Sequence, residues 1–181
     1  KKQINLFFFS ILFFIILFCK NTVGNEISFK IENYIKNLNF FSSKFIQSNG
    51  ASLEEGYIYI KDTKIRLDYF YPSRTLIISK KKGVYINHEL KEEHFFSTEK
   101  NIVRIIYDIF IDDSFFSSLT YLENNEEIIF EKTINIDSNK TDLKIFFENN
   151  PLLLRKIVAE TKDEVISISF NEHNYNNTFD E

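Results

Sequence analysis

The sequence predicts an α+β protein with one antiparallel β-sheet of about 10–11 strands and two α-helices. From residue 53 onward, apolar and polar residues alternate with a period of two, as in strands that bury one face. Two segments show the spacing of an amphipathic helix. Asn, Asp, Gly and Pro interrupt the strands at short intervals, which is typical of antiparallel connections. The length of 181 residues suits a single domain.

The two predicted helices cover residues 28–40 and 101–111. The first places Lys30 and Glu32 opposite its apolar face, and the second has Thr98 as a candidate N-cap. The apolar stripe of the second helix consists of Ile102, Ile105, Ile106, Ile109 and Phe110. Strands are predicted at 41–47, 53–60, 64–71, 75–79, 83–87, 93–96, 119–123, 126–134, 142–148, 152–160 and 165–171.

Residues 1–24 are predicted to be a secretory signal peptide. Lys1 and Lys2 precede an apolar run at 6–19, which is short for a membrane-spanning helix. Cleavage after about Gly24 would leave a domain of residues 25–181 and would remove Cys19, the single cysteine. An uncleaved N-terminal anchor is the alternative.

The charge of the predicted mature chain argues against nucleic-acid binding. Three of the 22 Lys and Arg residues and none of the 26 Asp and Glu residues precede residue 25, which leaves a net charge of −7. An acidic protein is repelled by the phosphate backbone.

The sequence contains no convincing catalytic or metal-binding motif. His88 and His94 are six residues apart, whereas a zinc-protease motif needs two His four apart on a helix. Residues 88–94 are predicted to form a hairpin with a polar turn. We therefore expect no enzymatic activity, no metal and no cofactor. A secreted hydrolase with converging Ser, His and Asp side chains is a less favoured alternative.

The stretch at residues 55–72, EGYIYIKDTKIRLDYFYP, predicts two strands joined by a tight turn at Asp62 and Thr63. Alternation places Ile65, Leu67 and Tyr69 on one face of the second strand. Core packing in an ordinary β-sandwich would produce the same pattern, so this face has two interpretations.

The order of short motifs here is specific. Phe45 and Gln47 form F-x-Q, and they are followed by Glu55-Gly56, an alternating strand, a basic turn, R-L-D-Y and Pro72. This order resembles the opening of the periplasmic outer-membrane lipoprotein carrier family, LolA. The resemblance implies a strongly curved sheet, an unclosed β-barrel, whose concave apolar face is covered by a helical lid and holds acyl chains.

The resemblance also implies which residues would line the cavity and its lid. The implied lining consists of Phe45, Tyr57, Tyr59, Ile65, Leu67, Tyr69, Leu76 and Ile78. The implied inner face of the lid consists of Ile105, Ile106, Ile109 and Phe110. In this family an arginine before the basic turn holds the lid shut. Lys61 stands at that position and is the candidate latch, although a solvated turn lysine is the alternative.

The function implied by the resemblance is carriage of lipoproteins through the periplasm. The cargo would be acylated lipoproteins, supplied by an ATP-driven releasing complex in the inner membrane and passed to an acceptor at the outer membrane. We expect a monomer. The main alternative is a membrane-anchored lipoprotein receptor, or a periplasmic sensor, on the same fold.

Overall fold

A computed structural model of the protein describes residues 23–112, 114–117, 120–136 and 139–175. Apart from Val23 and Gly24, the predicted signal peptide lies outside the described residues. Its cleavage therefore stays a prediction.

The described residues form two α-helices and eleven β-strands. Helix α1 is Val23–Lys36, helix α2 is Val103–Ile111, and a short 3₁₀ turn at Thr98–Lys100 precedes α2. The strands are β1 (Phe41–Ser48), β2 (Leu53–Lys61), β3 (Lys64–Tyr69), β4 (Arg74–Ile78), β5 (Lys82–Asn87), β6 (Glu92–Ser97), β7 (Thr120–Glu123), β8 (Glu127–Ile136), β9 (Asn139–Glu148), β10 (Leu153–Glu160) and β11 (Val165–Asn174). The α+β prediction is confirmed.

All eleven strands belong to one antiparallel sheet in the order β6-β5-β4-β3-β2-β1-β11-β10-β9-β8-β7. Strands β1–β6 form one meander and β7–β11 form a second. Pairing of β1 with β11 joins the two meanders, with Phe45 opposite Phe170. Strands β6 and β7 are the two edges, so the sheet is an unclosed barrel, as expected.

Both helices cover the concave face of this sheet. In α1, Tyr34 packs edge-on against Phe147 of β9 at 5.9 Å between ring centroids. In α2, Phe110 contacts Phe41 of β1 and Phe170 of β11, with ring centroids 6.5 and 5.7 Å apart. The buried apolar residues of both helices and of the concave face form one continuous core. A helical covering over the concave face is therefore present, as expected.

The prediction that Thr98 caps the second helix is wrong. Thr98 is buried in the 3₁₀ turn, and its hydroxyl donates to the Ser79 carbonyl at 2.9 Å. The helix begins later, and Asn101 Oδ1 accepts a hydrogen bond from the Val103 N–H at 3.1 Å. Thr98 therefore anchors the segment before α2 to the sheet.

The register of the β2–β3 hairpin determines which of its residues lie on the concave face. Asp62 has a φ of 56°, and the two-residue loop pairs Ile60 with Ile65 and Ile58 with Leu67. These four isoleucine and leucine side chains are buried.

Tyr57 and Tyr59 pair with Asp68 and Arg66, on the convex face. The prediction that these two tyrosines share the lining is wrong, because successive strand residues point to opposite faces.

Candidate functional site

An apolar cavity of about 120 Å³ lies between α2 and the concave face of the sheet. Apart from Gln47 and the Tyr69 hydroxyl, its walls are apolar. The walls consist of Gln47, Leu67, Tyr69, Leu76, Ile78, Ile102, Val103, Ile105, Ile106, Ile157, Ala159, Ile166 and Ile168. A concave apolar pocket with few polar groups is the usual form of a site for an apolar ligand.

The cavity lies where the two meanders meet. On one side, Leu67 pairs with Leu76 across β3 and β4. On the other side, Ile168 pairs with Ile157, and Gln47 of β1 pairs with Ile168 of β11. Pairing of β1 with β11 therefore brings residues from both ends of the described chain into one wall.

The structure places about half of the predicted lining in the cavity wall. Leu67, Tyr69, Leu76 and Ile78 line it, and Ile105 and Ile106 of α2 form its roof. The other predicted residues on the concave side, Phe45, Ile65, Ile109 and Phe110, are buried in the core beside the cavity.

Sequence reasoning did not assign the rest of the wall to the cavity, although Ile102 belongs to the predicted apolar stripe of the second helix. Gln47 belongs to the F-x-Q motif and could have been found there. Ile102 immediately precedes α2, and Val103 is its first residue. The β10 and β11 residues reach the cavity wall only through long-range strand pairing.

The size of the cavity limits what it holds in this conformation. An apolar protein cavity of about 150 Å³ takes up one benzene molecule. A long acyl chain therefore does not fit while α2 lies in this position, and binding one requires α2 to move away from the sheet.

The α2 residues that face the sheet contact it through apolar side chains. Ile105, Ile109 and Phe110 are buried and pack through apolar surface. The ion pair of α2 joins Arg104 Nε to Asp108 Oδ1 at 2.6 Å and so lies within the helix. Burial raises the pKa of Asp108, although Arg104 acts in the opposite direction.

A polar cluster adjoins the cavity at Tyr69. The Tyr69 hydroxyl donates to Gln47 Oε1 at 3.0 Å. The Arg74 guanidinium lies 4.0 Å from the centre of the Tyr69 ring, and its Nη2 donates to Glu54 Oε2 at 2.5 Å. Burial disfavours the charge of Arg74, but the contact with Glu54 raises its pKa overall. Burial also raises the pKa of Tyr69. We call Gln47, Glu54, Tyr69 and Arg74 the rim cluster.

Lys61, the candidate latch, is the last residue of β2 and precedes the turn. Since Ile60 faces inward, Lys61 occupies a convex-face position. The turn itself lies beside the end of α2, because Asp62 and Phe110 line a common cleft. The Asp62 N–H donates to Asn39 Oδ1 at 2.9 Å, which ties the turn to the loop after α1. The latch role of Lys61 stays a prediction.

Two hydroxyl–histidine pairs bear on the hydrolase alternative. On the convex face, Thr75 Oγ1 donates to Asp68 Oδ1 at 2.6 Å and lies 2.9 Å from His88 Nε2. The hydroxyl has one proton, which Asp68 accepts, so His88 must donate to it. A catalytic base would have to accept that proton instead, so the arrangement is not that of an activated nucleophile.

The second pair is Ser43 with His173. Ser43 Oγ donates to the Asn171 carbonyl at 2.6 Å and lies 3.5 Å from His173 Nδ1. His173 Nε2 donates to the Leu154 carbonyl at 2.9 Å. Both side chains therefore satisfy backbone groups near the bulge between β1 and β11, and the serine proton is directed away from the imidazole.

The segment that contains His88 and His94 is the β5–β6 hairpin, as predicted. In the part of the chain that the structure describes, no three His, Cys, Asp or Glu side chains are grouped so that they could hold a metal ion. Neither described helix has the length and apolar character needed to cross a membrane.

Comparison with known proteins supports the fold. No family model matches this chain, and no curated protein does. An uncharacterized conserved protein from Thermus thermophilus has the same fold, with a TM-score of 0.53 and 9% identity over 83% of this chain and 88% of that one.

Two further solved structures resemble the chain at lower scores. A LolA superfamily protein from Nitrosomonas europaea gives a TM-score of 0.43 at 7% identity, over 83% of this chain and 94% of that one. LprF from Mycobacterium bovis gives 0.46 at 9% identity, over 87% and 96%. TM-scores below 0.5 do not establish a shared fold, so the family resemblance stays a prediction.

Proposed function

We propose that this protein binds acyl chains between α2 and the concave face of its sheet. The observation that carries the proposal is the apolar cavity beneath α2, at the centre of a sheet that is open at both edges. The cavity marks where packing between helix and sheet is incomplete, and therefore where a ligand can begin to separate them.

The energies of opening and binding are of similar size. Exposing a buried Ile or Phe side chain costs about 1.5–3 kcal/mol. Each methylene of a bound acyl chain contributes about 0.8 kcal/mol. A chain of about a dozen methylenes therefore offsets the exposure of three or four lid residues such as Ile105, Ile106 and Ile109. Binding of this kind is weak enough to be reversed, as a carrier requires.

We further propose that the cargo consists of acylated lipoproteins in the periplasm. The carrier would receive them from an ATP-driven releasing complex of the inner membrane and deliver them to an acceptor at the outer membrane. This part of the proposal rests on the motif order from Phe45 to Pro72, together with the apolar pocket, and on the secretory pattern at residues 1–24.

Uptake of an acylated peptide tests the proposal directly. The purified protein is incubated with a lipoprotein N-terminal peptide carrying its acyl chains, and with the same peptide without them, and each mixture is separated by gel filtration. We expect a one-to-one complex with the acylated peptide alone. Failure to retain the acylated peptide under any condition would remove the basis of the proposal.

Capture from the cell extends the test to the cargo and to the alternative of an anchored receptor. We expect acylated proteins to co-purify from a periplasmic extract, and lipid analysis identifies their chains. Mass spectrometry of the N-terminus separates the alternatives, because a carrier has a cleaved N-terminus and an anchored receptor retains it or carries lipid at Cys19.

A further inference from the structure

We propose that the rim cluster is a binding site for the anionic head of a long-chain carboxylate whose tail enters the cavity beneath α2. The inference rests on the part of the proposed function that an acyl chain enters this cavity. It adds a preference among acyl ligands, which apolar walls alone do not provide.

The position of Arg74 suits this role. Tyr69 lines the cavity and pairs with Arg74 across β3 and β4, so both residues belong to the concave face. The guanidinium packs on the Tyr69 ring at 4.0 Å, which fixes its plane next to the apolar wall. The side chain of Arg74 is 16% exposed, so its charge is shielded from water without being sealed from a ligand.

The partner of Arg74 is one that a ligand can replace. The ion pair joins Arg74 Nη2 to Glu54 Oε2, while a guanidinium has five N–H donors in a fork that fits a carboxylate. A ligand carboxylate can therefore form two parallel hydrogen bonds with Arg74, and Glu54 returns to water as it leaves. Glu54 neutralises Arg74 in the empty protein and competes with the ligand, which keeps binding reversible.

Gln47 completes the site. Its Oε1 accepts the Tyr69 hydroxyl, and its side chain lines the cavity. The polar groups of the site therefore run from the cavity wall at Gln47, through Tyr69, to Arg74. An amphiphile with its tail among Leu76 and Ile168 has its polar end directed at this row.

The test compares two ligands that share a twelve-carbon tail, dodecanoate and dodecanol. Each displaces N-phenyl-1-naphthylamine, a neutral probe that fluoresces in apolar surroundings. We expect dodecanoate to bind about tenfold more tightly than dodecanol at neutral pH, the ratio typical of a charge-assisted hydrogen-bonded pair. Acetate, which has the head without the tail, displaces no probe.

Two variants assign the preference to the rim cluster. Arg74→Gln abolishes the preference for dodecanoate, so that dodecanoate and dodecanol bind with equal affinity. Glu54→Gln removes the competing carboxylate and raises dodecanoate affinity about tenfold. Arg66→Gln is the matched control, because Arg66 lies on the convex face with Asp68 as its partner, and it leaves both ligands unaffected.

The outcomes separate this inference from the proposed function. Displacement by both ligands with equal affinity, or a preference that survives in folded Arg74→Gln, overturns the carboxylate site and leaves acyl binding intact. Lower dodecanoate affinity in Glu54→Gln also overturns it, because Glu54 would then assist the ligand. If neither ligand displaces bound probe, or no probe binds, the proposed function fails and the inference fails with it.

Discussion

The ring of Phe45 occupies the space that a side chain at Gly56 would need. The two residues are direct partners across β1 and β2. A Cβ at Gly56 would lie 2.8 Å from Phe45 Cζ and would also collide with the Asp68 carbonyl oxygen. Two motifs that are separate in the sequence, F-x-Q and E-G, are therefore one packing unit on the concave face.

Replacing Gly56 with alanine is expected to destabilise the protein strongly. The added methyl group meets strand backbone, which cannot move aside without disturbing the β2–β3 ladder, and such overpacking costs about 3 kcal/mol. Gly50→Ala is the comparison, because Gly50 has open space around it and a φ of +84°, so only backbone strain of about 1 kcal/mol applies. Urea unfolding measures both, and equal losses would contradict the close approach.

The assignment of strand faces predicts different effects for substitutions in β4 and in β2, the two strands that flank β3. Leu76→Asn places an amide in the cavity wall, where the lost apolar surface and the buried polar group lower acyl-probe affinity about tenfold. Tyr57→Asn changes the convex face and leaves the affinity unchanged. Probe titration of the folded fraction measures both, and a loss of affinity in Tyr57→Asn alone would restore the original prediction for that tyrosine.

Filling the cavity is expected to block ligand uptake without unfolding the protein. Ala159→Leu adds three carbon atoms at a position that lines the cavity. We expect at least about a tenfold loss of acyl-peptide binding and a stability change below about 1.5 kcal/mol, because the new atoms enter empty space. Val158→Leu, which adds one carbon atom, is the control, since Val158 alternates with Ala159 along β10 and therefore faces the convex side. Normal uptake by folded Ala159→Leu would show that acyl chains bind elsewhere.

The buried position of His173 predicts that the folded state loses stability as the pH falls. Burial lowers its pKa below the ordinary value of 6.5, although the hydrogen bond to the Leu154 carbonyl opposes this shift and Arg155 and Glu148 act in opposite directions. The folded state therefore binds its proton less readily than the unfolded state. The stability that neutral, buried His173 contributes to the folded state is fully present above pH 6.5. It is lost as the pH falls through the lower, folded-state pKa of His173.

Thermal unfolding between pH 7.5 and pH 5 measures this effect. We expect the midpoint of His173→Gln to fall less over this range than that of the unaltered protein. His94→Gln, which replaces a histidine whose side chain is 65% exposed, is the control. Identical curves for all three proteins would assign the acid sensitivity to other groups.

Much of the fold followed from local patterns in the sequence. Alternation located the strands, and the motif order from Phe45 to Pro72 indicated a curved sheet with a helical covering. Alternation does not say which face is buried when both faces carry large side chains, as with Tyr57, Ile58, Tyr59 and Ile60. The two-residue loop at Asp62 and Thr63 determines which face is buried, because such a loop pairs Ile60 with Ile65 and so places both on the same face.

The remaining half of the candidate site depends on contacts between distant parts of the chain. Ile157, Ala159, Ile166 and Ile168 reach the cavity because β11 pairs with β1, and no local pattern specifies that pairing. Thr98, whose hydroxyl donates to the Ser79 carbonyl instead of capping the helix, likewise ties the segment before α2 to a distant strand end. Long-range geometry of this kind is not encoded in a window of neighbouring residues.

The central seam between Phe45 and Phe170 has a consequence for biogenesis. Strand β1 is the first strand of the described chain and β11 is the last, so the second edge of β1 is covered only when β11 is available. Until β11 has been synthesised, one edge of β1 therefore stays unpaired, and such edges recruit neighbouring chains. Efficient production of this protein should depend on holding chaperones during that interval.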